Sequence, residues 1–312
     1  MTTLEDMDLV LRKKRISIDQ CFHSSMIKGD PRSQKLLAAL EAGHATGRIV
    51  CPIHLEESIF ESSFFPEATR RKVFALQNRL SDGYSFHSLA QQMRYQTFAL
   101  LTPGLAYPAL RKVSLKIKPN TDFAAMAKEY QADKDNYVDR LNKMPYPPPS
   151  YKPGMKGDQV AEFIMAERSG SMYRILDALK ARSTTDTGKD EWEYTAQIGE
   201  FLQRLRILPK DLDTLIDKVV QKQWLCIPYL WAHSRINAQI ELGYLSGKKK
   251  ASANDLLDMS RIAIALNDSS VLLCDTAMSE MIKQSKALEI FDRVTVFSMK
   301  QRDQAAEYIA GL

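Results

Sequence analysis

The sequence predicts an α/β fold: a parallel-sheet core with helices on both faces, built from both chain ends, plus a mainly helical insertion. Two short apolar runs, 16–18 and 271–274, carry this prediction, and each is followed by a lone aspartate, Asp19 and Asp275. Short runs with β-branched residues and abrupt polar ends are typical of strands buried in a parallel sheet. Near both ends of the chain, such runs alternate with helical patterns, which is the order of βαβ units.

The N-terminal part predicts two strands and two helices. A first strand ends at Asp19, and a loop is expected from there through 29–31. A helix with apolar residues at 36, 37 and 40 follows and is expected to end near Gly43. A second strand covers 48–51, ends at Pro52, and leads to a helix that begins about His54.

The C-terminal part repeats this order. A helix over 254–266 leads to the strand that ends at Cys274, and a second helix covers 277–286. A strand over 294–297 and a terminal amphipathic helix complete the pattern. Both ends therefore supply elements of one α/β core.

The middle of the chain has a different character. Helical periodicity dominates, over 192–205, 212–220 and 227–245, and a proline-rich loop at 145–153 interrupts it. Polar and apolar residues alternate over 112–118, which predicts one half-exposed strand. We therefore divide the chain into an N-terminal core part, 1–64, a mainly helical insertion, 65–247, and a C-terminal core part, 248–312.

Composition limits the class of protein. The chain of 312 residues has a net charge of +5, which permits a polyanionic partner without requiring one. No stretch approaches the roughly 20 apolar residues that span a bilayer, and the N-terminus has no apolar signal core. We therefore expect a cytoplasmic protein without membrane contact. The four cysteines lie far apart without zinc-binding spacing, and we expect them to be reduced.

Acidic residues follow the predicted strands and open the predicted helices. These acids are Asp19, Glu56, Glu57, Asp255, Asp258 and Asp275. Because strand carboxyl ends and the following helix starts meet at one edge of a βαβ layer, these side chains could share a pocket. Mg²⁺ and Mn²⁺ prefer sites rich in carboxylate oxygens, and they suit phosphodiester hydrolysis.

Three segments resemble the PIN nuclease superfamily: ISIDQ, RIVCPIHLEES and NDLLDMSRIAIALNDSSVLLCDTAM. The resemblance covers about 120 residues, roughly 10–64 and 250–312, and implies a PIN-like core. It implies four metal-binding and catalytic acids: one after the first strand, one on an early helix, one opening a late helix, and one after the next strand. Asp19, Glu57, Asp258 and Asp275 match these in order. The chain departs from the family pattern in its large insertion. Many members also have Thr or Ser beside the last acid, whereas here Cys274 precedes Asp275 and Thr276 follows it.

Two of these assignments have alternatives. We prefer Glu57 to Glu56 because Ser58 follows it, as a small polar residue often does in the family. We prefer Asp258 to Asp255 for its interval to the last acid, since Asp255 also fits a capping role. Glu56, Asp255 and Asp268 are auxiliary candidates. Three consecutive lysines, Lys248, Lys249 and Lys250, could bind a nucleic-acid backbone, or they could be a plain solvated loop.

The resemblance implies a metal-dependent endoribonuclease that uses Mg²⁺ or Mn²⁺, of the kind found as the toxin in toxin–antitoxin pairs. Its expected partners are an RNA substrate and an inhibitor or antitoxin protein, and self-association into a homo-oligomer is open. A second hypothesis is a catalytically inactive PIN-like scaffold that binds RNA or a protein partner. A third is a helical interaction protein without an α/β core, in which the acids would not cluster.

Overall fold

The computed structural model describes residues 12–88, 110–113, 228–245 and 254–312, together with scattered residues between 91 and 159. The described strands are β1 (Lys14–Ile18), β2 (Ile49–Val50), β3 (Tyr84–Phe86), β4 (Leu110–Lys112), β5 (Val271–Cys274) and β6 (Thr295–Ser298). The described helices are α1 (Gln20–Ile27), α2 (Pro31–Ala45), α3 (Leu55–Ser63), α4 (Glu67–Ser81), α5 (Pro228–Leu245), α6 (Asn254–Asp268), α7 (Thr276–Gln284) and α8 (Arg302–Gly311). The predicted helices over 192–205 and 212–220 and the loop at 145–153 lie outside the described residues.

A four-stranded parallel sheet forms the centre of the fold, in the order β2-β1-β5-β6. Strand β1 from the N-terminal part pairs with β5 from the C-terminal part, with Ile16 opposite Val271 and Ile18 opposite Leu273. The predicted α/β class and the assembly of the sheet from both chain ends are therefore confirmed. The third hypothesis, a helical protein without an α/β core, is wrong.

Apolar clusters lie on both faces of the sheet. Alternate strand residues point to opposite faces, so Ile16 and Ile18 pack with α1, α2, α4 and α8 on one side. On the other side, Leu272 and Cys274 pack with α5, α6 and α7. Helices α4 and α5, which belong to the predicted insertion, thus pack directly on the core.

The segment after Asp19 differs from its prediction. It is the helix α1 and not a loop, and it begins directly after Asp19. The Asp19 side chain caps this helix, and Phe22 and Met26, one turn apart, are buried. The prediction was wrong because Ser, His and Cys are weak helix formers, whereas the cap and two buried apolar residues favour the helix.

Two further boundaries differ from the predictions. Helix α2 continues past Gly43 to Ala45. The predicted strand over 112–118 overlaps the described strand β4, which pairs antiparallel with β3, only at Lys112. Residues 114–118 lie outside the described part. Among the described helices, none combines the length and apolar character that a bilayer crossing requires.

Candidate functional site

The carboxyl ends of β1 and β5 meet at one edge of the sheet. The backbone N–H of Asp19 donates to the carbonyl of Leu273 across 2.9 Å, so the parallel pairing continues one residue beyond β1. This register places Asp19 beside Cys274. Asp275 is the next residue. Both predicted strand-end acids therefore lie at the same edge, as the rule for parallel sheets requires.

Each of these aspartates also caps a helix. Oδ1 of Asp19 accepts from the N–H of Cys21 at 3.0 Å, at the start of α1. Oδ1 of Asp275 accepts from the N–H of Met278 at 2.8 Å, at the start of α7. Helix N-termini favour negative charge, and the capping hydrogen bonds fix one oxygen of each carboxylate. The caps therefore orient both side chains through contacts within the chain itself.

Arg261 joins carboxylates from three separate elements. Its Nη2 donates to Asp19 Oδ2 at 2.9 Å and to Asp258 Oδ1 at 2.5 Å. Its Nη1 donates to Glu61 Oε1 at 3.3 Å. Asp258 lies three residues before Arg261 on α6, which brings the two side chains onto one face of the helix. The guanidinium thus draws the end of β1 together with α3 and α6.

The cluster is sealed from solvent to different degrees. The side chains of Arg261 and Asp19 are only 5% and 7% exposed, whereas Glu61 is 25% exposed. Arg70 holds the end of α3 by donating to the carbonyls of Ser62 and Phe65. Glu61 therefore stands at the rim of the cluster on a helix with a fixed end.

Negative charge exceeds positive charge in this cluster. Burial raises the pKa of Asp258 to about 7, and the charges of Asp19, Glu61 and Asp275 add to the increase against the opposing effect of Arg261. The same neighbours act on the nearby thiols: burial, with the charges of Asp19 and Asp275, raises the pKa of both Cys21 and Cys274. These cysteines are therefore held as neutral thiols.

Two buried histidines lie near the cluster. Burial lowers the pKa of His23 to about 4, and the charge of Asp19 only partly opposes this effect. His54 is hydrogen-bonded through Nε2 to Ser17 Oγ at 2.9 Å, and burial also holds its pKa well below the usual value. Both imidazoles are therefore neutral at physiological pH and add no positive charge that would balance the carboxylates.

The described part of the structure brings together three of the four predicted principal acids, Asp19, Asp258 and Asp275. The side chains of Glu56, Glu57 and Asp255 and all of Lys248, Lys249 and Lys250 lie outside the described residues. Asp268 is separate from the cluster. It ends α6, ten residues or about 15 Å beyond Asp258, at the amino edge of the sheet where Ser270 N donates to the Arg15 carbonyl.

The sequence analysis missed Glu61 and Arg261. A signal for each was present: Glu61 lies one helical turn after Glu57, and Arg261 directly precedes the apolar helical run IAIAL. A charged residue inside such a run is buried only when it is paired. That rule indicates a buried partner for Arg261, but it does not identify which acid provides it.

Comparison with known proteins finds no matching family model, no matching curated protein and no matching solved structure.

The donor atoms of the cluster are of the type that a divalent cation prefers, but their arrangement in the structure is not that of a metal site. Its donors are carboxylate oxygens, which Mg²⁺ and Mn²⁺ prefer, and three acids pair with one guanidinium. Within the ranges that the structure describes, however, no group of three or more His, Cys, Asp or Glu side chains is placed so that it could hold a metal ion. Arg261 engages Asp19 and Asp258 instead.

Proposed function

We propose that this chain is a metal-dependent endoribonuclease with a PIN-like core, which hydrolyses RNA phosphodiester bonds at the carboxyl edge of its parallel sheet. One observation carries the proposal. Acids from β1, α6 and the end of β5, far apart in the sequence, gather at this edge and exceed the positive charge among them. Such an excess of buried negative charge is costly in isolation, and a divalent cation would offset it.

The residues proposed to hold the cation are Asp19, Asp258 and Asp275, with Glu57 added on the resemblance to the PIN superfamily. A bound Mg²⁺ or Mn²⁺ would supply Lewis-acid chemistry, which activates a water and stabilises charge on the phosphoryl group. The chain itself contributes orientation. The capping hydrogen bonds from the N–H groups of Cys21 and Met278 hold one oxygen of Asp19 and of Asp275 in place.

We propose RNA as the substrate and an inhibitor or antitoxin protein as a partner, in the cytoplasm. These parts of the proposal rest on the resemblance alone. The predicted insertion would then control access to the edge of the sheet or hold a partner.

One observation favours a second function, a catalytically inactive PIN-like scaffold that binds RNA or a protein partner. Arg261 makes hydrogen bonds to two of the acids that a cation would need. A guanidinium in that place offsets part of the negative charge of the cluster without any metal, as the ion pairs of a purely structural core do. The two functions differ in whether RNA is cleaved.

The deciding experiment is cleavage of end-labelled total RNA by the full chain, with Mn²⁺ or Mg²⁺ and with EDTA. Asp275→Asn removes the charge but retains a capping side chain. Asp30→Asn is the matched control, because Asp30 caps α2 in the same way through Ser33 N. We expect metal-dependent cleavage that falls about 100-fold in Asp275→Asn and persists in Asp30→Asn. RNA left intact by the wild type with Mn²⁺ would contradict the proposal and favour the scaffold.

A further inference from the structure

We propose that a cleft at the amino edge of the parallel sheet binds a small phosphate-bearing molecule, whose phosphate group is held by Lys14, Arg15 and Arg293. The inference does not depend on the proposed function. The acids Asp19 and Asp275 lie beyond the carboxyl ends of β1 and β5, at the opposite edge, and β5 alone is four residues or about 13 Å long.

The first step is how the topology forms the cleft. Parallel strands start at the same edge of a sheet, so the segments that lead into β1, β5 and β6 meet there. The N–H of Ser270 donates to the carbonyl of Arg15 at 2.8 Å, and the N–H of Thr295 donates to the carbonyl of Ser270 at 3.0 Å. These bonds hold the three segments side by side. Together the segments line a cleft of about 680 Å³, within the range of about 300–1,000 Å³ that is typical of small-molecule sites.

The second step is the positive charge that lines the cleft. Lys14 and Arg15 open β1, and Arg293 lies in the turn that the N–H of Val294 closes on the carbonyl of Phe291. The side chains of Lys14 and Arg293 are exposed. Within the ranges that the structure describes, no side-chain hydrogen bond or ion pair occupies any of the three basic groups. Three such groups suit a phosphate, which accepts several charge-assisted hydrogen bonds.

The third step is that nearby negative charge does not cancel this lining. Among the described residues that line the cleft, Asp292 is the one acid. Helix α6 ends at Asp268 beside the cleft, and a helix C-terminus contributes about half a negative charge. Burial raises the pKa of Asp268 to about 7, so this carboxyl carries only part of a charge at neutral pH. The cleft therefore keeps an excess of positive charge, larger than the end of α6 alone would require.

A buried hydroxyl in the wall of the cleft gives an indication that is independent of these charges. Ser269 lines the cleft and is only 7% exposed, and its Oγ has no hydrogen-bond partner among the described residues. A buried hydroxyl without a partner is unfavourable. Rotation about one side-chain bond would let this hydroxyl donate to a phosphate oxygen in the cleft. A bound anion would thus supply the acceptor that the chain itself does not.

The size and the apolar part of the lining leave room for more than a phosphate group. A single phosphate fills only a small part of the volume of this cleft. Apolar residues line it as well, and Ile290 is 42% exposed there. An apolar surface beside a few polar groups is the usual lining of a small-molecule site. The ligand class is therefore a phosphate ester or inorganic phosphate, and the two sources differ in whether an organic group adds affinity.

The test is isothermal titration calorimetry of the full chain at neutral pH in metal-free buffer, with inorganic phosphate and AMP as separate probes. We expect one-to-one binding with a Kd of about 100 μM or tighter for at least one probe. Lys14→Gln and Arg293→Gln each remove one exposed positive charge, and we expect each to weaken binding about tenfold. Ser269→Ala removes the buried hydroxyl and should weaken binding about threefold.

Two further variants separate the cleft from overall charge. Asp292→Asn removes the acid from the lining, so binding should become about threefold tighter, an effect that damage to the fold would not produce. Lys300→Gln is the matched control, because Lys300 is an exposed lysine beyond the carboxyl end of β6. This control should leave the affinity unchanged. Equal weakening by Lys300→Gln and Arg293→Gln would overturn the inference.

Each remaining outcome also decides. Tighter binding of AMP than of phosphate would support a phosphate ester as the ligand, and equal binding would support inorganic phosphate. Binding of neither probe at about 10 mM would overturn the inference, as would binding that Lys14→Gln and Arg293→Gln leave unchanged. A single-stranded RNA that binds where both probes fail would also overturn it, in favour of a nucleic-acid surface. Because the buffer holds no metal, these results do not depend on whether the chain cleaves RNA.

Discussion

Arg261 donates a hydrogen bond of 2.9 Å to Asp19, although 242 positions separate the two residues in the chain. This contact ties α6, in the C-terminal part, to the end of β1, in the N-terminal part. Both side chains are almost fully buried. The pairing of β1 with β5 and this ion pair therefore join the two chain ends at the place where we propose the chemistry.

The first prediction concerns the opposite effects of removing a positive and a negative charge from the cluster. In EDTA, we expect Arg261→Gln to lower the free energy of unfolding by about 3–5 kcal/mol, since it leaves buried carboxylates unpaired. Asp258→Asn should cost about 1 kcal/mol at most, because it relieves repulsion from Asp19 and Glu61 while Arg261 keeps two partners. Urea denaturation of both variants measures the difference. Equal losses would mean that the cluster carries no excess of negative charge.

The second prediction separates the capping role of Asp275 from its charge. Asp275→Ala should lower the free energy of unfolding by about 1 kcal/mol, since the N–H of Met278 loses its acceptor. Asp275→Asn should change it by only about 0.3 kcal/mol, because asparagine caps helices well. Thermal denaturation in EDTA compares the two. If Asp275→Asn is as unstable as the alanine variant, it cannot serve as the fold-preserving variant in the RNA cleavage test.

The third prediction concerns pH and Asp268. Burial raises the pKa of this carboxyl to about 7, while Arg15 and the hydrogen bond from Gln92 oppose the increase. The folded chain therefore holds this proton more tightly than the unfolded chain does. The stability that the proton contributes is fully present below the unfolded pKa of about 4 and is lost as pH rises to about 7.

Asp268→Asn mimics the protonated form and removes this loss. Relative to wild type, we expect the variant to gain about 1 kcal/mol or more between pH 4 and pH 8, measured by urea denaturation at each pH. The exposed salt-bridge residue Asp303, changed to Asn, is the control and should show no such gain. A constant difference between the Asp268 variant and wild type across this pH range would contradict the burial of the charge.

The fourth prediction tests how α2 packs on β2. A Cβ added at Gly43 would lie 3.0 Å from Cδ1 of Ile49, which is fully buried. Gly43→Ala gains about 1 kcal/mol of helix propensity, but we expect the crowding to cancel or exceed that gain. Ile49→Val removes Cδ1, so Gly43→Ala should be more favourable in that background by about 0.5 kcal/mol or more. Urea denaturation measures these changes in the free energy of unfolding. If the effects of the two substitutions are simply additive, Gly43 and Ile49 are not in contact.

The sheet and the acids at its carboxyl edge could be predicted from the sequence. Two short apolar runs predicted β1 and β5. Because the carboxyl ends of parallel strands meet at one edge of a sheet, the same runs predicted that Asp19 and Asp275 lie at one edge. The positions of α6, β5 and β6 followed from periodicity and turn residues. These predictions succeeded because each depends on local pattern and on burial of one face.

The contacts that Arg261 and Glu61 make in the cluster could not be predicted from local sequence pattern. Arg261 and Glu61 are 200 positions apart, and a charged side chain on a helix does not indicate its distant partner. Helix α1 was missed because its Ser, His and Cys residues are weak helix formers, and the capping hydrogen bond of Asp19 contributes to its stability. Asp19 caps α1 and is also a proposed metal ligand, and the sequence analysis used only its position after the strand.

The central claim is that the carboxylates at this edge bind a divalent cation. Fe²⁺ binds many Mg²⁺ sites, and with ascorbate and peroxide it generates radicals that cut the nearby backbone, so the cuts locate the ion. We predict cuts close to Asp19, Asp258 and Asp275 in the wild type, suppressed by excess Mg²⁺ and absent from Asp275→Asn. Cuts confined to other parts of the chain, or none at all, would contradict the claim.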